Sequence, residues 1–204
     1  MKTLKTIIAI LMLCIGCITA SAADTSAAAK KILDKAAAKV SLKSGTQMSF
    51  NISGDKIGQQ SGTITIKGKK FNARTNSAIV WFDGTTQWTY LKKNEEVNVS
   101  TPNASQQSQM NPYSFIQLYK SGYALSLDKS ASGNMVHLVA QKNQSIKEMY
   151  ILVDANNNIK QVKMKQKAGW TTINVTSVKS INVSDSAFKF NASDCPNAEV
   201  IDLR

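Results

Sequence analysis

The sequence predicts a mainly β chain, an antiparallel meander of roughly ten short strands that curls into a barrel or half-barrel, with helical segments beside it. Three features predict it. After Ser41 apolar and polar residues alternate with a period of two. The alternating runs are short and are separated by clusters of Gly, Asn, Asp and Ser. Two segments depart from this rhythm and carry apolar residues at helical spacing.

Taken in order, residues 1–23 read as a secretory signal peptide. Lys2 and Lys5 precede an apolar run from Ile7 to Ile18, shorter than the ~20 residues of a spanning helix, and Ala20 and Ala22 supply the small residues that a signal peptidase needs. The mature chain then begins near Ala23 or Asp24, and 24–204 forms a single domain that works outside the cytoplasm. Cleavage before Cys17 with lipidation of that cysteine is the alternative, although Cys14 stands where a Leu is usual. With the leader gone only Cys195 remains, so no internal disulfide is possible and the core must hold the fold.

Thr25 to Ser41 reads as one helix, with Ala-rich stretches of high propensity and Ile32, Leu33, Ala36 and Val40 on one face. Strand alternation follows at Met48, Phe50 and Ile52, at Ile64 and Ile66, and at Phe71 and Ala73. It returns at Val136 to Ala140, Met149 to Val153, Val162 and Met164, Ile173 and Val175, and finally Phe188 and Phe190. Between these sets, Ser100 to Pro112 is polar and aperiodic, and Tyr113 to Tyr119 carries Phe115, Ile116, Leu118 and Tyr119 at helical spacing. That short helix is either a flap on a flexible loop or a plain crossover packed on the sheet.

Ile79 to Tyr90, IVWFDGTTQWTY, places four large rings around Asp83-Gly84 in a chain that is 7% aromatic. A hairpin loop of two or four residues puts Ile79, Trp81, Thr86, Trp88 and Tyr90 on one face and Phe82 on the other. Two Trp and a Tyr are more apolar volume than a narrow barrel interior holds, so a helix or something else must cover that face.

Net charge excludes little by itself. It is +12 for the full chain, and without Lys2 and Lys5 there remain 23 basic and 13 acidic residues. The lysines are scattered and no recognition-helix or RNP-like pattern occurs, so no nucleic-acid role is expected; attraction to anionic lipid or acidic partners is the physical consequence.

Gly62 to Lys67, then Phe71-Asn72, then Asp83-Gly84 followed by Trp88 and Tyr90, together resemble the outer-membrane lipoprotein carrier protein (LolA) family. Phe115-Ile116, Gly169 and Phe188 to Phe190 extend the similarity over most of the mature chain. The resemblance implies a half-open antiparallel β-barrel of about ten to eleven strands, with an N-terminal helix and a short lid helix over an apolar concave face. It further implies a monomeric periplasmic chaperone that takes acylated lipoproteins from an inner-membrane ABC-type release complex towards an outer-membrane acceptor. The family often has an Arg-Pro pair after the strand corresponding to Gly62–Lys67, its Arg tying lid to barrel; Gly68-Lys69 stand there in this divergent member, leaving Lys67, Lys70 or Arg74 as substitutes.

On this reading Phe50, Ile64, Phe71, Trp81, Trp88 and Tyr90 line the sheet side of an acyl-chain cavity, and Ile32, Leu33, Phe115 and Leu118 line the helix side. Ordinary core packing is the alternative for each. No cofactor or metal is expected, and no enzyme: His137 is the single histidine, without a nucleophile motif beside it, and no phosphate-cradling Gly-rich loop occurs. A membrane-anchored lipoprotein acceptor, or a lipid-sensing domain without transport, are the rivals within the same fold.

Overall fold

The computed structural model describes residues 22–40, 43–56, 58–103, 106, 118–130 and 132–204. Residues 1–21, which hold most of the leader, and Tyr113 to Gln117, which include Phe115, lie outside them. The first element, α1 (Ala22–Val40), starts three residues earlier than the spacing suggests, and Asp24 and Lys39 sit in its first and last turns where each favours the helix dipole. Its residues Ala29, Leu33, Ala36, Ala37 and Val40 recur at intervals of three and four and are all buried.

Twelve strands follow among the described residues: β1 (Thr46–Gly54), β2 (Gly58–Lys67), β3 (Lys70–Thr75), β4 (Ala78–Phe82), β5 (Gln87–Leu91), β6 (Glu96–Ser100), β7 (Tyr123–Ser130), β8 (Gly133–Ala140), β9 (Glu148–Val153), β10 (Ile159–Gln166), β11 (Gly169–Ser180) and β12 (Glu199–Asp202). They form one sheet in the order β12-β6-β5-β4-β3-β2-β1-β11-β10-β9-β8-β7. Its ends do not pair, so it is open rather than closed into a barrel. Every neighbouring pair is antiparallel except β12 with β6. The strands β6, β7 and β12 add to those expected, whereas Phe188 and Phe190 do not form one: Asp185–Phe188 is a short 3-10 turn that packs across β3 and β4.

The helix packs chiefly on β7 and β8. Beneath it, Leu125, Leu138, Met149, Met164 and Val136, Ile151, Val162 form cross-strand rows of apolar side chains, continuous with Met48, Ile64, Ile66, Phe71 and Phe82. Two extra residues make the rows possible. β1 pairs Ser49 with Ser177 but Phe50 with Val175, leaving Thr176 as a bulge; without it Val175 and Ile173 would point away from the helix. Lys160 does the same in β10 and keeps both Ile159 and Val162 on the helix side.

Two glycines are required by close approach. A Cβ on Gly62 would overlap the Arg74 carbonyl oxygen and sit 2.8 Å from the Phe50 ring, which lies over the bare backbone across the strand pair. At Gly169, with φ +113°, the same position is filled by the Asp55 carboxylate. That carboxylate accepts from the Trp170 N–H (3.2 Å), so the β1–β2 turn clamps the β10–β11 hairpin.

Candidate binding face

The hairpin parity predicted from Asp83-Gly84 is observed. Phe82 pairs with Gln87 around a four-residue loop, Trp81 faces Trp88 and Ile79 faces Tyr90. Gly84 takes φ +104°, and the Asp83 carboxylate accepts from the Thr85 and Thr86 N–H groups at 3.0 and 2.9 Å. Register then fixes the rest. Phe71 pairs with Phe82 and their rings lie 5.4 Å apart, on the helix side; Trp81 pairs with Asn72 and is on the other.

The ten residues expected to line one cavity are therefore divided between two faces. Leu33, Ile64 and Phe71 are buried on the helix side, and Ile32, Phe50 and Leu118 are half-buried against the same cluster. Trp81, Trp88 and Tyr90 lie on the opposite face, and the placement of Phe115 is not described. The expectation of a single sheet wall is corrected on this point, because strand alternation sends Phe71 and Trp81 to opposite sides. Residues not anticipated complete the helix-side set: Ala73, Val80, Ile173 and Val175 are half-buried there. Their signal was parity with Phe71, Phe82 and Phe50, which pairing reveals and a single strand does not.

Burial on the helix side is graded along the strands. Met48, Ile64, Ile66, Phe71 and Phe82 are buried, while Phe50, Ile52, Ala73 and Val80, one or two pairs further along, are half-buried. That stretch is an apolar surface incompletely covered by the protein's own side chains.

The ring-lined face is covered by the chain itself. Trp81 is 1% exposed and meets Phe190 edge-on with centroids 5.4 Å apart, and the Arg74 guanidinium lies 5.9 Å from its centroid. Phe188 is 0% exposed on a turn packed against β3 and β4, and β12 extends the strap onto β6, where the Leu203 N–H donates to the Val99 carbonyl (2.8 Å). The lysines proposed as lid latches hold this strap. Lys67 and Lys70 reach Asp185 at 3.1 and 2.6 Å, and Lys67 also donates to the Val183 carbonyl (2.9 Å). Arg74 donates to Asn72 (3.0 Å) within its own strand. A different contact ties α1 down: the Tyr119 hydroxyl donates to Asp34, which also takes a 2.8 Å ion pair from Lys30.

Hydrogen bonds from Lys70, then Lys67, hold the Asp185 carboxyl below its ordinary 3.8. A lowered folded value means the stabilisation from this tether is fully present above the unfolded carboxylate range and is lost as pH falls below it, through the lowered folded value. Burial raises the Cys195 thiol, with Asp194 adding to the effect, so the thiolate is scarce at neutral pH. Peptide-mapped alkylation of Cys195 should accordingly be slow in the native protein and several-fold faster in Asp185→Asn; an unchanged rate would show that Asp185 does not hold the strap.

On the strap-free part of that face His137 stacks on Tyr150 (centroids 4.3 Å) and meets Glu148 at 2.9 Å. Among the described residues no group of three or more His, Cys, Asp and Glu side chains converges.

Residues 19–183 match the family described as outer membrane lipoprotein carrier protein LolA. The chain belongs to the LolA family. In fold this LolA family member is similar to an uncharacterized conserved protein of Thermus thermophilus, at TM-score 0.58 and 14% identity over 86% of this chain and 99% of that one. It is also similar to a LolA superfamily protein of Nitrosomonas europaea (TM-score 0.43, 9% identity, 79% and 97% covered) and to LprF from Mycobacterium bovis (0.43, 9%, 78% and 96%). No curated protein matches it. The LolA match stops at residue 183, so the strap over Trp81, which begins at Ser184, lies beyond the matched residues.

Proposed function

We propose that the protein is a periplasmic carrier that shelters the acyl chains of lipoproteins against the helix-bearing face of its sheet and ferries them from the inner membrane towards the outer membrane. One observation carries this reading: the half-buried apolar stretch of Phe50, Ala73, Val80, Ile173 and Val175 runs on from a fully buried core and ends without complete cover. Membership of the LolA family supports it. Leu33, Ile64 and Phe71 form the floor of this site, and Ile32 and Leu118 its helix-side margin.

A 16-carbon chain left in water would cost on the order of 12 kcal/mol, at ~0.8 kcal/mol per methylene. An apolar surface with no directional bond to the chain can offset most of that and still release it without nucleotide hydrolysis. An inner-membrane release complex as donor and an outer-membrane acceptor are the partners this route requires. The protein acts as a single binding domain, residues 24–204, exported by a cleaved leader, and catalyses no reaction.

Native mass spectrometry of the protein recovered after export tests the proposal. Acylated species should accompany the folded protein and leave on unfolding. A bare protein that also ignores a fluorescent fatty-acyl probe would end it. The same spectrum reads the N-terminus: a start near Ala23 fits a diffusing carrier, and a lipidated Cys17 fits an anchored acceptor instead.

A further inference from the structure

Antiparallel order sends the β1–β2, β5–β6, β8–β9 and β10–β11 loops to the same end of the sheet. Every one of them carries lysine: Lys56, then Lys92 and Lys93, then Lys142 and Lys147, then Lys167. All six are exposed, and none has a carboxylate within ion-pair distance among the described residues. Of the carboxylates at this end, Glu95 on the β5–β6 loop and Glu199 at the start of β12 are exposed and make no ion pair among the described residues, while others are engaged. Asp55 accepts from the Trp170 backbone, and hydrogen bonds from Tyr150, then His137, hold the Glu148 carboxyl below its ordinary range. The opposite end is more mixed in charge: Asp83 and Asp154 stand in its loops, Lys67 and Lys70 are consumed by Asp185, and Lys69, Lys160 and Lys179 are exposed there without an ion pair among the described residues.

Beside the basic loops is a ring. Trp170, the second residue of β11, is only partly buried, with Lys163 Nζ 4.7 Å and Lys165 Nζ 5.6 Å from its centroid and the Tyr150 ring at 6.1 Å. An indole with a half-exposed body and flanking ammonium groups suits a boundary between headgroups and acyl chains.

We propose that this end of the sheet docks on an anionic lipid surface, with the loop lysines over the headgroups and Trp170 entering the interface. The geometry favours a membrane over an acidic protein. The lysines are spread along the edge from β6 to β8, a span of nine strand spacings at about 4.8 Å each, and they stand on separate loops rather than around one pocket. A broad plane of diffuse charge matches that arrangement, whereas a single acidic segment would reach only part of it. The docking end is also the end towards which the helix-side face passes from buried to half-buried, at Ile52, Ala73 and Val80. The docking proposal stands whether or not that face holds acyl chains.

Vesicle co-sedimentation of the protein recovered after export tests it, with phosphatidylglycerol-containing vesicles set against pure phosphatidylcholine. Binding should be confined to the anionic vesicles and weaken as salt rises. Each lysine near the surface is worth about a fivefold change in affinity, so Lys165→Glu with Lys167→Glu should lower binding roughly 25-fold or more. Lys160→Glu with Lys179→Glu changes net charge equally at the opposite end and should leave binding near wild type. A blue shift of tryptophan emission on binding should disappear in Trp170→Phe. Equal binding to both vesicle types, equal losses in the two double variants, or a shift that survives Trp170→Phe would each overturn the proposal. Lysine-dependent binding to polyglutamate with none to vesicles would overturn it in favour of an acidic protein partner.

Discussion

Trp81→Ala will destabilise the folded protein by about 3–5 kcal/mol, the range for emptying a buried tryptophan site. The ring is 1% exposed, with Phe190 edge-on to it, Trp88 across the strand pair and Arg74 above. The space left behind has little means of collapsing. β4 is hydrogen-bonded between β3 and β5, and the strap is pinned by Asp185 on one side and by β12 on the other. Urea unfolding followed by circular dichroism measures the change, and Trp81→Phe should recover much of the loss. A loss below about 1 kcal/mol would mean the ring is not part of the core. Because Trp81 faces away from the helix, the molecules that remain folded should bind an acyl probe as wild type does.

Val80→Asp should do the reverse, costing less stability than Trp81→Ala while weakening acyl-probe binding about 100-fold. Val80 is half-buried on the helix side, opposite Ala73, so a carboxylate there can stay hydrated in the empty protein. With an acyl chain in place it must either lose water or admit water to the chain. Withdrawing three or four methylenes from cover at ~0.8 kcal/mol each amounts to ~3 kcal/mol, or about two decades in Kd. Val139→Asp is the control, on the opposite face and 42% exposed. Fluorescent-probe titration separates them, and equal losses in the two variants would refute the assignment of the helix-bearing face.

These two residues also mark where reading the sequence succeeds and where it stops. The Asp83-Gly84 turn is enough to place Trp81, Trp88 and Tyr90 together and Phe82 apart, since loop parity decides which positions share a side. Parity is symmetric, however, and says nothing of which side meets the helix. That depends on register across three strands, with Phe71 pairing Phe82, and on two bulges, at Lys160 and Thr176, that nothing in the local residue pattern announces. The helix was legible because Ala29, Leu33, Ala36 and Val40 repeat over many turns, and its contact with β7 and β8 was not, being a long-range choice. Val97 and Val99 alternate clearly enough to have marked β6. Phe188 and Phe190 imitate a strand while crossing the sheet instead, because two rings on one side of an extended segment serve either purpose.

The parallel pairing of β12 with β6 joins Glu199 to Glu96, so the outer rim of β6 receives its partner from a segment 103 residues further along the chain. Closing so long a loop carries an entropic penalty and delays the step relative to the neighbouring hairpins. Until it happens, β6 presents a row of bare amides and carbonyls that a strand from another molecule could match. Self-association during folding is therefore most dangerous at this margin, and the tail that shields Trp81 also limits how long that hazard lasts.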